Sequence, residues 1–237
     1  TGTGNVFTVA GSFEISDDAG AFYRFGTGSY IIYDVYGLQA MKGWVNDPTV
    51  EFVLANDIDA SATSGWNPDG LGGYYGFEPV GTTEEPFKGV FDGNGHIING
   101  LFQDRPGEGF GLFGRVNGST ARVKNVGLTN VNLSGGSGGA IASQLYQNSY
   151  NITLLNSFAT GTITATGDRV GGLVGSTNDS GIENCYSEVN VTGNGRVGGL
   201  AGYTHWTKFY KCYSTGNVVS THETEPCGGI IGRAVGT

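Results

Sequence analysis

Proline is scarce, at 6 of 237 residues, and only 14% of the residues carry charge. Glycine is abundant at 44, and without proline it excludes a collagen-like chain. The hydrophobic fraction of 38% excludes an intrinsically disordered one. No apolar run reaches the roughly eighteen residues of a membrane-spanning helix. No export signal is visible, and the chain opens Thr1-Gly2-Thr3 without a methionine, so the expectation is an excised or processed piece. Cysteine is limited to Cys185, Cys212 and Cys227, an odd number with no Cys-x-x-Cys spacing, which speaks against a zinc site and a disulfide framework. His96, His205 and His222 are scattered, and no His-Glu-x-x-His occurs. With a net charge of −9, the chain is a poor partner for nucleic acid or anionic membranes, so neither nucleic-acid binding nor membrane insertion is expected.

What is present is repetition. Gly111-Leu112-Phe113-Gly114 recurs as Gly172-Leu173-Val174-Gly175, Gly199-Leu200-Ala201-Gly202 and Gly229-Ile230-Ile231-Gly232, with a degenerate copy at Gly139-Ala140-Ile141-Ala142. A second stretch follows, ending in Asn125-Val126, Asn156-Ser157, Asn184-Cys185 and Lys211-Cys212. A third, such as Thr162-Ile163-Thr164 or Asn190-Val191-Thr192, closes each unit. Each stretch is too short for a helix and rich in β-branched residues. Three short strands separated by turn residues describe one coil of a parallel β-helix. A single coil cannot bury its own interior, so stability requires stacked neighbours.

The Gly-Leu-x-Gly copies, together with Asn184-Cys185-Tyr186-Ser187 and Lys211-Cys212-Tyr213-Ser214, resemble the GLUG motif. Tyr36-Gly37-Leu38, Leu54-Ala55-Asn56-Asp57 and Phe91-Asp92-Gly93-Asn94-Gly95 resemble the segment that precedes such repeats. The resemblance is to filamentous-haemagglutinin-type adhesins and to the accessory region of immunoglobulin A1-specific metallopeptidases. It implies an all-β, right-handed parallel β-helix, or solenoid, of about six to eight coils, in a secreted or cell-surface protein.

Three segments are expected: N-terminal strands over 1–33, a capping helix with the first coils and a long loop (61–86) over 34–110, and GLUG-type repeats over 111–237. Tyr30-Ile31-Ile32-Tyr33 and Val6-Phe7-Thr8-Val9 read as strands. Asp34 to Gly43 reads as an amphipathic helix, with Asp34 as its N-cap, Val35, Leu38 and Met41 on one face, and Gly43 as its stop. The last motif opens a unit that the sequence leaves without its asparagine strand, so association at that end is expected, with end-to-end self-association as one form.

Aligned units place Val126, Ser157, Cys185 and Cys212 in one column and Val170, Val197 and Cys227 in another. Columns that accept Val and Cys point to buried, inert thiols; a Cys185–Cys212 disulfide between coils is the alternative. Asn125, Asn156 and Asn184 form a corner ladder, broken by Lys211. Phe158, Tyr186 and Tyr213 form an outward aromatic column, which would serve stacking stability or hold a sugar ring. Asp57 and Asp59 alternate along one predicted strand and, with Asp69 or Asn67, could supply oxygen ligands to Ca²⁺; strand-end solvation is the plainer reading. No cofactor is expected otherwise. No converging carboxylate pair of glycosidase type is evident. The expected function is non-enzymatic: a structural or adhesive module, such as a stalk or filament segment. A surface glycan or a host or cell-surface protein would be its partner. A polysaccharide-binding or polysaccharide-degrading β-helix and an accessory substrate-binding region of a peptidase are the alternatives.

Overall fold

The computed structural model describes residues 29–147 and 151–236; the expected strand at Val6–Val9 lies outside them. The chain is an all-β solenoid of about five complete turns, with half of its residues in strands and every named strand pair parallel. Three long walls run along it. The first stacks seven strands, from Tyr30–Ile32 through Glu51–Leu54, Val90–Asp92, Arg122–Lys124, Ile152–Leu155 and Gly181–Glu183 to Lys208–Tyr210. The second is built on Gly127–Gly135, Phe158–Ala165 and Tyr186–Gly193. The third stacks five strands: Phe113–Asn117, Ala142–Tyr146, Val174–Asn178, Ala201–His205 and Ile231–Val235. The expected six to eight coils is therefore an overcount: seven strands stack in the first wall, but only five stack in the third and the solenoid has about five turns.

Three strands per coil were expected, and the later coils add a fourth. Arg169–Gly171, Arg196–Gly198 and Cys227–Gly228 form a short separate sheet. The Gly-Leu-x-Gly motif straddles the corner between this sheet and the third wall, and its leucines Leu112, Leu173 and Leu200 are fully buried. A side chain at Gly172 would meet the Gly199 carbonyl oxygen at 2.2 Å, so the corner closes only with a bare backbone there. The degenerate copy sits one residue later than its glycines indicate. The Ala140 N–H donates to the Gly172 carbonyl and the Ile141 N–H to that of Leu173, and Ala142 pairs with Val174, so Ala140-Ile141-Ala142-Ser143 is the equivalent stretch. The run Gly135-Gly136-Ser137-Gly138-Gly139 contains several glycines that could start the motif. The need to bury Ile141, at zero exposure, selects the register.

The corner between the first and second walls is built as expected. Asn125, Asn156, Asn184 and Lys211 all adopt left-handed backbone, with φ of 54°, 49°, 52° and 51°. Asparagine tolerates this conformation better than other non-glycine residues. Asn156 Nδ2 donates to Asn125 Oδ1 at 2.9 Å, Asn184 Nδ2 to Asn156 Oδ1 at 3.1 Å, and Asn125 Nδ2 to Asp92 Oδ1 at 3.0 Å. Lys211 keeps the turn but ends the amide ladder.

At the N-terminal end a helix spans Val35–Ala40 and tightens into a 3₁₀ turn at Met41–Trp44, so Gly43 does not stop it. Asp34 Oδ1 caps it by accepting from the Gly37 N–H at 2.8 Å. Val35, Leu38 and Met41 are buried in the same apolar cluster as Ile32 and Leu54. The interior tapers along the axis. Phe52, Phe87, Phe91 and Phe113 touch through their rings near the first coils, whereas Val, Leu, Ala and Ser fill the later ones. The 61–86 segment is partly interior: Phe77 and Val80 are fully buried, and Val80 bridges Phe113 in parallel. Trp66 packs against Tyr36 in a tilted ring contact, with centroids 5.1 Å apart, tying the segment to the helix.

The ladder generates a quantitative expectation. Asn156→Ala loses two amide bonds and forces alanine into left-handed backbone, and should cost about 2–3 kcal/mol in denaturant unfolding. Asn156→Gly keeps the turn and should cost about 1 kcal/mol. Equal losses for both variants would show that the side-chain bonds alone matter.

Candidate functional site

The second wall presents its alternate residues outward. Phe158, Tyr186 and Tyr213 occupy one register column, as expected. Phe158 and Tyr186 rings lie 4.8 Å apart at 1°, and Tyr186 and Tyr213 rings 5.0 Å apart at 2°. The spacing matches that of neighbouring strands, so one ring per coil continues the stack without strain. Below Phe158 the column holds Gly127, where a Cβ would fall 2.3 Å from the Phe158 ring. The phenylalanine ring therefore leans over a bare backbone and closes the ladder on that side.

This geometry changes what the ladder can hold. Within the stack the ring faces are consumed by one another, so Phe158 and Tyr186 offer edges to solvent. The second face of Phe158 lies over the Gly127 backbone, and Tyr213 is 49% exposed. Burial, followed by the neighbouring Tyr213 and Glu188, raises the Tyr186 hydroxyl above the usual phenol range and keeps it a neutral hydrogen-bond donor at the edge. Beyond the ring column the same face carries Thr160 with Glu188, and Thr162 with Asn190, in register. It is a flat polar sheet with one aromatic border.

The three aspartates are not brought together. Asp57 precedes the two-residue strand Ile58–Asp59 instead of lying in it, so the expected alternation with Asp59 does not arise. Its carboxylate accepts from the Ile97 N–H at 3.0 Å and contacts His96 Nδ1 at 3.1 Å. The backbone donor first, then His96, holds its pKa below the ordinary carboxylate value. Asp59 is lowered by the Ser61 N–H, and Asp69 by the N–H groups of Leu71 and Gly73. Each carboxylate thus serves its own turn. No group of three or more His, Cys, Asp or Glu side chains placed to hold a metal occurs among the described residues.

All three cysteines are free thiols, and their columns are as expected, but the inert-core reading holds for Cys185 alone. Cys185 is buried, Cys212 is half-buried and Cys227 is exposed.

One feature was missed from sequence. A surface cleft of about 430 Å³ opens between residues 78–84 and 105–109, lined by Glu78, Thr82, Glu84, Arg105, Glu108 and Gln144. Its walls are fixed by amide clamps. Gln39 exchanges two 2.9 Å hydrogen bonds with the Glu78 backbone, and the fully buried Gln103 bonds Phe77 and both backbone groups of Gly111. Arg105 is paired with Glu108 at 2.7 Å. These residues are far apart in sequence and share no period, so no repeat pattern flags them.

Against known proteins, the family model of the GLUG motif matches residues 166–192 and 193–219, the two units that carry the Tyr186 and Tyr213 columns. The chain is 37% identical to halomucin of Haloquadratum walsbyi over 172 residues, which is 68% of this chain and 2% of that protein. It is 32% identical over 124 residues to a Gly-rich membrane protein of Evansella cellulosilytica, covering 52% of this chain and 13% of that protein. The chain therefore spans only a small part of these relatives. An immunoglobulin A1 protease from Bacteroides ovatus shares the fold, with a TM-score of 0.65 at 22% identity over 88% of this chain and 62% of that one. Motif, relatives and fold together are those of a structural repeat module of a surface or secreted protein. No helix among the described residues is long and apolar enough to cross a membrane.

If the ring column serves mainly to hold coils together, Tyr186→Ala should be the costlier substitution. It removes two ring contacts and should destabilise by about 1–2 kcal/mol, against less than about 1 kcal/mol for Tyr213→Ala, which removes one. Chemical denaturation of the two variants decides; equal or reversed costs would mean that the stack adds nothing beyond local burial.

Proposed function

We propose that this chain acts as a rigid, non-enzymatic spacer or adhesive module in a larger surface or secreted protein, presenting its flat second-wall face to a glycan or to another surface protein. The observation that carries the reading is where the recurring residues go. Leucines, asparagines, valines and glycines that repeat along the axis all hold one coil to the next. The repeated chemistry is cohesive, and such an array resists bending because each coil is paired on both edges.

Adhesion enters through the second wall. Its Thr and Asn columns offer hydrogen-bond groups at strand spacing, and Tyr213 supplies an exposed ring. A saccharide would stack on Tyr213 and run along the polar columns, or meet the hydroxyl edge of Tyr186. A polysaccharide-degrading reading would place its chemistry in the Glu78/Glu84/Glu108 cleft, where Glu108 is engaged by Arg105.

Incubation with a panel of bacterial and host polysaccharides tests this. The expected result is retention of one or more glycans without turnover, weakened about fivefold by Tyr213→Ala, a loss of about 1 kcal/mol. Turnover of any glycan that disappears with Glu108→Gln would overturn the non-enzymatic reading. Retention unchanged by Tyr213→Ala would remove the second wall as the contact face.

A further inference from the structure

Cys185 and Cys212 occupy the same position in consecutive coils. The residues after them, Tyr186 and Tyr213, are register partners, and the Tyr213 N–H donates to the Cys185 carbonyl oxygen at 3.2 Å. In-register parallel strands place such a pair of Cα atoms about 4.8 Å apart, inside the range of about 4.4–6.8 Å that a disulfide spans. The Cys185 S–H is directed at the Glu183 carbonyl oxygen at 3.1 Å. The Cys212 S–H faces the carbonyls of Tyr210 at 3.3 Å and Ile182 at 3.5 Å.

The two thiols differ in the way an attacking and a resolving cysteine differ. Cys212 is half-buried and reachable, whereas Cys185 is buried. The hydrogen bond from Cys185, set against some burial, lowers Cys212 to about 7, while that same bond and burial push Cys185 up. At neutral pH a substantial fraction of Cys212 is therefore thiolate, the nucleophilic form.

We propose that Cys212 and Cys185 form an oxidisable dithiol, which a small-molecule disulfide converts into a bond between these two neighbouring coils. The Cys212 thiolate attacks one sulfur of the small disulfide. That S–S bond breaks, a mixed disulfide forms on Cys212, and one small thiolate leaves. Cys185 then loses its proton and attacks the Cys212 sulfur. The second small thiolate leaves as the inter-coil bond forms. The protein has lost two electrons and two protons, and the small disulfide has become two thiols. In-register side chains point the same way, so the bond needs the Cys212 strand to shift. That strand, Tyr213–Ser214, is only two residues long.

The test uses the full chain carrying Cys227→Ser, so that the exposed third thiol does not react. Treatment with oxidised glutathione at pH 7.5, followed by intact mass and peptide mapping under non-reducing conditions, should give a loss of two hydrogens and a Cys185–Cys212 cross-linked peptide. The oxidised protein should melt several degrees higher than the reduced one. The further variant Cys185→Ser should stop at a stable glutathione adduct on Cys212, and Cys212→Ser should remain unmodified while folded. A persistent glutathione adduct on Cys212 with Cys185 intact would overturn the proposal. So would two free thiols after prolonged oxidation of a protein that circular dichroism shows to be folded.

Discussion

Every part of this molecule depends on one constraint: the backbone of each coil must pair in register with the coil before it, at the spacing of β-strands. Parallel pairing over a whole turn of chain requires that every corner be equally tight in successive coils. Left-handed backbone at Asn125, Asn156, Asn184 and Lys211 supplies that at one corner, and bare backbone at the Gly-Leu-x-Gly corner supplies it at another. Once the corners match, all side chains fall into columns, and the columns add their own cohesion through amide bonds, stacked rings and buried leucines.

The same constraint limits what the surface can do. A residue that repeats along the axis meets its own kind at strand spacing, so its best contacts are spent on its neighbours. Stacked rings lose their faces to each other, and stacked asparagines bond one another. New chemistry therefore arises where the column changes its residue type or the period is broken: at the paired thiols of Cys185 and Cys212, and in the cleft beside the 61–86 segment, which belongs to no repeat.

That distinction also explains what could be read in the sequence. The fold was legible because repetition is a sequence property: the Val170/Val197/Cys227 column and the Phe158/Tyr186/Tyr213 column both follow from aligning units. The helix was legible from Asp34 and the Val35, Leu38 and Met41 spacing. The fourth short sheet was not, because Arg169–Gly171 runs directly into the glycine that opens the motif, and the bend between them leaves no separate trace in composition. The buried-column reading fits Cys185 but not Cys212 and Cys227, because a column assigns the direction of a side chain and not its burial. The aspartates were misplaced because Asp57 and Asp59 were assigned to one strand, and turn hydrogen bonds to Ile97 and Ser61 took their carboxylates. The Gln39 and Gln103 clamps link positions 39 and 26 residues apart in single, unrepeated contacts, which leave no periodic trace.

The central claim is register, and methyl-labelled nuclear magnetic resonance tests it most directly. In-register stacking predicts strong cross-peaks between Val170 and Val197, between Ile163 and Val191, and between Leu173 and Leu200. A slip of one residue would turn each of these side chains to the opposite face of its wall. Absence of these three contacts from a folded sample, or contacts between Ile163 and the outward Thr192 in their place, would contradict the account.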